Sequence, residues 1–324
     1  MTKQTEPHYL IEDPLFETFI ETDRPPEAIA HGCTWTEGPV WLDDELFFND
    51  IPNRRMLCWT EADGVSTALP NSEFANGNTL DGLGHMVSCE HGGRRVVRRL
   101  DPFDLNAVEI IASEFEGKRL NSPNDVVVRS DGTVWFTDPP YGINSDAEGY
   151  PAASEIGGCY VFCVHPDGAI KAIATDFDKP NGLAFSPDES KLYIADSGAI
   201  QGASFPGIDY DLPHHIRVFD VDGDTLSNGR VFAVIEPGVP DGFRVDHEGY
   251  VWTSAHDGIH CLTPDGTRIG KIVLPTQTSN ICFGGSDGRT LFITSSDKVY
   301  RVFSSRRDAA HLNKAGDALP GGQA

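Results

Sequence analysis

Along most of the chain, short apolar runs are broken every few residues by a polar turn, and one form of that pattern keeps returning. Residues 124–138, NDVVVRSDGTVWFTD, give three valines, a Ser-Asp-Gly turn and a second apolar run that closes on an aspartate. Two short strands joined by an Asp-Gly turn are the expectation. The outline recurs at EGPVWLDDELFFND (37–50), NTLDGLGHMVSCE (78–90), NGLAFSPDESKLYIAD (181–196), DGFRVDHEGYVWTSA (241–255) and NICFGGSDGRTLFITS (280–295). Each copy opens on a polar residue, runs into a strand, turns on Gly, Asp or Pro-Asp, and returns as a second strand.

Six units spaced about 40 to 60 residues apart, with room for two more strands between hairpins, predict six blades of four short strands. No segment of the repeated region shows apolar residues at a helical period. The expected fold is therefore all-β, a six-bladed β-propeller. Residues 1–324 are expected to form one domain, with 1–25 as an N-terminal extension and 306–324 as a C-terminal tail. The last repeat ends soon after KVYRVFSS, so a strand near EAIAHG is expected to complete that blade and close the ring.

The polar residues that open the repeats are Glu37, Asn78, Asn124, Asn181, Asp241 and Asn280. Taken singly they are ordinary turn formers. In a propeller, however, the first strand of each blade lines the central channel, so these positions converge at one end of it, and every one carries a side-chain oxygen. Oxygen-only donors suit a hard cation such as Ca²⁺, Mg²⁺ or Mn²⁺, and Glu37 with Asp241 would balance a divalent charge. The antiparallel second strands return to the same end. Asp50, Glu90, Asp138 and Asp196 should therefore rim that face, together with His91, Tyr141, His256 and the long segments 139–158 and 197–215. Segments of that length are commonly lids over a site. His91 either meets substrate or is a rim histidine bonded to Glu90 or solvent.

Charge narrows the partners. With 49 acidic against 25 basic residues and a net charge of −24, the chain repels phosphate backbones, so no nucleic-acid partner is expected. No run approaches the roughly 18 apolar residues of a membrane span. Seven cysteines without a C-x-x-C, and no visible secretory signal, fit a reducing, cytoplasmic compartment. A monomer or homodimer is expected. Two tempting motifs fall in hairpins instead. GGSDG (284–288) has the spacing of a nucleophile elbow, but it aligns with the turn of the third repeat, which puts Ser286 at the end opposite the polar cluster. DVDGD (220–224) starts like a calcium loop, but its glycine comes too early.

TEGPVW, NSPNDVVVRSDGTVWFTD, KPNGLAFSPDESKLYIADS and VPDGFRVDHEGYVWTSA together resemble the senescence marker protein (regucalcin)–gluconolactonase family of six-bladed propellers, over roughly Ala28 to Phe303. NGNTLDGLGHMVSCEHGGRRVVRR resembles its bacterial gluconolactonase branch. The resemblance implies hydrolysis of a small sugar lactone and one divalent metal ion, Ca²⁺ first, with Mg²⁺, Mn²⁺, Zn²⁺ or Fe²⁺ as alternatives. Carried over by position, the metal ligands are Glu37, Asn124, Asn181 and Asp241, with Asp241 as base or water orienter. Asn78, His91, Asn124, Tyr141 and His256 are the expected substrate contacts. One position departs from the family pattern: Ser122 stands where animal members carry an arginine, and Arg119 is nearby but not equivalent. Two other functions fit the same residues, a phosphotriesterase-like hydrolase on the same metal and a calcium-binding propeller without catalysis.

Overall fold

Residues 8–101, 103–200 and 207–311 are described by the computed structural model. They form six antiparallel sheets of four or five strands arranged as blades, besides a two-stranded ribbon of Glu114–Phe115 with Lys118–Arg119. The innermost strands are Thr36–Leu42 in blade I, Ala75–Leu80 in II, Val126–Val128 in III, Pro180–Phe185 in IV, Phe243–Val245 in V and Thr278–Gly284 in VI. Each of these packs against the inner strands of its two neighbours, and VI packs against I, so the ring is closed. Closure is completed as the sequence suggests. Glu27–His31 pairs antiparallel with Lys298–Phe303 and is the outermost strand of blade VI.

The blades hold together through apolar layers between their faces. Strand alternation sends one side chain in two toward each neighbouring blade. Between V and VI, for example, Trp252, Ile259, Phe283, Leu291 and Ile293 are buried in one cluster. Near the channel the joints become polar. Asn78 Nδ2 donates to Gly38 O at 2.7 Å and Asn49 Nδ2 to Asn76 O at 2.7 Å, tying I to II. Gly77 N–Asn124 O (2.8 Å) and Gly182 N–Asp241 O (3.0 Å) tie II to III and IV to V. Thr137 Oγ1–Asn181 O (2.8 Å) links III to IV, and Ser279 Oγ–Thr36 O (2.7 Å) links VI to I.

The chain segments flanking the repeats are built in more firmly than "extension" and "tail" suggest. Tyr9–Ile11 adds a fifth strand to blade V by pairing with Arg268–Val273. The short helix Pro14–Glu17, capped by the Asp13 side chain, drives Phe16 against Gly270, where a Cβ would lie 2.1 Å from the ring. At the other end Arg306 forms a buried two-point ion pair with Asp246, whose carboxylate also accepts from Trp252 Nε1. Residues 1–7 and 312–324 lie outside the described residues, as do 201–206 of the second proposed lid. Among the described residues the only α-helices are Pro14–Glu17 and Tyr141–Asn144.

Candidate active site

A cavity of about 550 Å³, including its mouth, opens at the end of the channel where the inner strands begin. It is lined by Trp35, Glu37, Ile51, Asn76, Asn124, Tyr141, Asn144, Glu148, Asn181, Ile200 and Asp241. Four of the six repeat-opening residues are here: Glu37, Asn124, Asn181 and Asp241. Local backbone geometry delivers them. In blades I and IV the ladder between first and second strands slips just past the polar residue, between Glu37 and Val40 and between Pro180 and Leu183. Such bulges re-aim side chains at the rims of sites. The following glycine then lets the backbone touch the next blade. A Cβ on Gly38 would lie 1.9 Å from Asn76 O, and one on Gly182 would lie 2.3 Å from Asp241 O.

The carboxylates that close the second strands hold these arms in place. Asp50 accepts from Thr34 N (2.9 Å), Asp138 from Asn121 N (2.7 Å), and Asp196 from Asp178 N (3.1 Å) and Lys179 N (3.0 Å). Each bond fixes the backbone two or three residues before a cavity oxygen in blades I, III and IV. Glu90 is paired with Arg95 and Arg99, as Asp50 is also paired with Arg55. These four residues are therefore supports on the expected face.

Three of the expected substrate contacts lie outside the cavity lining. Asn78 does not line the cavity. Its Nδ2 donates to Gly38 O, and its Oδ1 accepts from Ser88 Oγ at 2.6 Å. Its place in the cavity wall is taken by Asn76, which stands before Gly77 as Glu37 stands before Gly38 and Asn181 before Gly182. His91 lies behind that wall, fully buried, with Nε2 3.2 Å from Asn76 Nδ2 and Nδ1 3.1 Å from Glu148 O. His256 also lies outside the lining; it packs on Gly238, and its buried Nε2 has no hydrogen-bond partner. Tyr141 is in the lining, its hydroxyl buried near Asn181 without a completed hydrogen bond. Asn280 is one step beyond the wall and donates to Glu37 Oε2 at 3.2 Å.

The segment after Asp138 covers one side of the cavity. Ser122 anchors its base, with Oγ donating to Pro139 O (2.6 Å) and accepting from Gly142 N (2.9 Å). The position where animal relatives carry arginine is thus a structural tie here. Arg119 is exposed and outside the lining. Tyr141, Asn144 and Glu148 reach the cavity from this segment. In the second long segment Ile200 does so, and Tyr210 accepts from Gly238 N at 3.0 Å.

The electrostatics of the cavity are dominated by buried negative charge. Glu37 Oε2 is occupied by Gly38 N (2.6 Å) and Asn280, which leaves Oε1 for the cavity. Burial, and then the charge of Asp125 below it, push the Glu37 carboxyl up. Burial, then Glu37, Glu148 and Asp125, push Asp241 well above the usual carboxylate range, against an Asn181 hydrogen bond. Burial alone raises Glu148 to about 7 and lowers His91 to about 4 against its Glu148 carbonyl contact. A cation among Glu37, Asp241 and the amide oxygens would relieve this repulsion, so the donor set fits a hard divalent ion. Among the described residues no three His, Cys, Asp or Glu side chains gather at one point, so the two asparagines are needed to complete such a site.

The far end of the channel offers a wider cavity, bordered by Gly82, Arg129, Ser130, Ser186 and Glu189 of the hairpin turns. Ser286 is exposed in the turn of blade VI at that end, where Gly288 N bonds Gly285 O. The DVDGD stretch likewise forms a strand-to-strand turn, with Asp222 paired to Thr225. All seven cysteines are free, and among the described residues no helix is long and apolar enough to cross a membrane.

Residues 35–297 match the family model described as SMP-30/Gluconolactonase/LRE-like region. Among curated relatives, a gluconolactonase of Zymomonas mobilis subsp. mobilis is 34% identical over 89% of this chain and 84% of its own length. A pentonolactonase of Haloferax volcanii is 26% identical over 83% of this chain and 84% of its own. Among solved structures, a gluconolactonase from Xanthomonas campestris superposes with a TM-score of 0.82 at 33% identity, covering 91% of this chain and 94% of the other.

Proposed function

We propose that this chain, which belongs to the SMP-30/gluconolactonase/LRE-like family and is a lactonase, opens sugar lactones to aldonic acids with one divalent cation held by Glu37, Asn124, Asn181 and Asp241. The observation that carries this reading is the convergence of oxygens from blades I, III, IV and V on one cavity whose two carboxylates repel each other. Ca²⁺ is the first expectation on donor chemistry, followed by Mg²⁺ and Mn²⁺; Zn²⁺ and Fe²⁺ are the softer alternatives. A cation there would supply Lewis acidity toward the lactone carbonyl.

The chain's own groups do the rest. Asp241, held as a carboxylate when a cation occupies the site, takes a proton from the attacking water. The water oxygen bonds to the carbonyl carbon, the ring C–O bond breaks, and the released alkoxide takes up a proton to give the hydroxy acid. Trp35, Ile51 and Ile200 form an apolar border suited to the C–H faces of a sugar ring, and Tyr141 offers a hydroxyl to its polar groups. The test is acid release from a panel of aldonolactones by chelated protein, then by protein refilled with single metal ions. Activity should vanish on chelation and return with at least one hard divalent ion. Full turnover in a demonstrably metal-free preparation would overturn the proposal.

A further inference from the structure

The geometry points to Asn76 as a substrate-reading residue whose amide oxygen accepts a hydroxyl of the lactone ring, and to His91 as the positioning residue that sets the amide's orientation. This rests on the lactonase reading of the same cavity. Proton positions on three residues fix this orientation. Glu148 O is a carbonyl and can only accept, so His91 Nδ1, 3.1 Å away, carries the hydrogen. His91 is fully buried and its ring favours the neutral form, so Nε2 is a bare acceptor. The atom of Asn76 facing Nε2 at 3.2 Å must then be the amide nitrogen. Asn76 lines the cavity, and with its NH₂ end held from behind, the oxygen is the end left to face substrate.

The backbone makes this orientation firm. Asn76 O is bound by Asn49 Nδ2 at 2.7 Å, so the residue cannot rotate as a unit. His91 is wedged against the covering segment, since a Cβ on Gly142 would lie 2.5 Å from His91 Cβ. The segment that supplies Glu148 O also supplies Tyr141, Asn144 and the Glu148 side chain to the cavity. Asn76 therefore stands on the covered side, beside the groups that would surround the sugar hydroxyls. A fixed acceptor selects donors: a lactone with a hydroxyl at the matching carbon gains a bond that its deoxy counterpart lacks.

The experiment compares an aldonolactone with its singly deoxygenated analogues, using wild type, Asn76→Ala, His91→Leu and His91→Gln, each loaded with the metal that restores wild-type turnover. In the wild type, one deoxy analogue should lose kcat/KM by about tenfold or more, the scale of one lost hydrogen bond. Asn76→Ala should erase that one discrimination, mainly through KM, while calorimetric Ca²⁺ affinity stays within about twofold. His91→Leu should erase it too, and His91→Gln, whose amide can still accept from Asn76, should restore part of it. A merely structural role would lower all substrates alike. The inference fails if discrimination is unchanged in a folded Asn76→Ala protein, or if that change chiefly weakens Ca²⁺ binding, which would make Asn76 a metal ligand. Wild-type protein that opens none of the lactones would instead overturn the lactonase reading itself.

Discussion

Gly182→Ala is the sharpest test of how the blades hold the site. A methyl carbon there would lie 2.3 Å from Asp241 O, 2.9 Å from the Cα of Gly242 and 3.1 Å from the Phe243 ring. The first two are backbone atoms that cannot swing away. Blades IV and V must therefore part locally by about 1 Å to reach ordinary contact distance. The Gly182 N–Asp241 O bond, 3.0 Å long, spans that joint and would be stretched or lost. A hydrogen bond of this kind contributes about 1 kcal/mol, and overpacking costs about 1–3 kcal/mol. Urea unfolding should thus show a loss of about 2–4 kcal/mol. Asn181 and Asp241 flank the same joint, so their spacing changes with it, and a displacement of about 1 Å can cost about 10²-fold in turnover. Gly82→Ala is the control, because a methyl there meets nothing within 4 Å. If Gly182→Ala unfolds at the wild-type midpoint and hydrolyses lactone at the wild-type rate, close backbone contact between blades is not what sets the site.

Four further outcomes are expected. Asp241→Asn keeps side-chain size but removes a charge and a proton acceptor, so kcat should fall about 10²-fold or more and calorimetric cation affinity should weaken. Ser286→Ala, in its exposed far turn, should leave turnover unchanged; the opposite ranking would move the site to the other end of the channel. Asn78→Ala should lower stability by about 1–3 kcal/mol by stripping buried bonds to Gly38 and Ser88, with KM near wild type; a raised KM at unchanged stability would return Asn78 to the substrate. Asp138→Asn tests burial. The Asp138 carboxyl is raised from 3.8 to about 7, chiefly by burial, against bonds from Asn121 and Ser122 and the charge of Arg94. Between those values the folded state holds a proton that the unfolded chain has released, so this group makes stability fall as pH rises through the window. The asparagine variant lacks that slope and should gain on wild type in urea midpoint from pH 4 to 7. A constant difference would show that the carboxyl is ionised throughout.

The architecture was legible because the informative unit is local. Each inner hairpin is contiguous in sequence, with turn chemistry and alternation that need no distant partner. In-register reading then placed six residues at that end of the channel, of which Glu37, Asn124, Asn181 and Asp241, the four singled out by the family resemblance, line the cavity. It slipped in blade II for a definite reason. Asparagine stands at both 76 and 78 of NGNTL, and a strand repeats its facing every two residues, so alternation cannot tell the two apart. The glycine could have: Glu37-Gly38, Asn181-Gly182 and Asp241-Gly242 align with Asn76-Gly77. Trp35, Ile51, Asn144, Glu148 and Ile200 carried no such signal. They stand outside the repeated hairpins, and their direction depends on how those segments pack. His91 was placed on the correct face, but its depth behind Asn76 depends on contacts with Gly142 and Glu148 made across 50 or more positions of the chain.

Ring closure by the strand Glu27–His31 sets an order of events during synthesis. This strand leaves the ribosome before any of the six inner hairpins, yet Arg301 reaches Glu27 across 274 positions of chain. Until the last blade exists, the opening strand has no edge to join, and without that strand blade VI has three strands instead of four. Glu37, on the first blade made, is held by Asn280 on the last. Blades can fold one after another as they emerge, each burying a local hairpin, but the cavity comes into being only with the final hairpin. A chain halted after blade V would carry well-formed sheets, two exposed apolar faces and no assembled site. Its lactonase activity would therefore report completion of the ring, in a single step, rather than growing with each blade added.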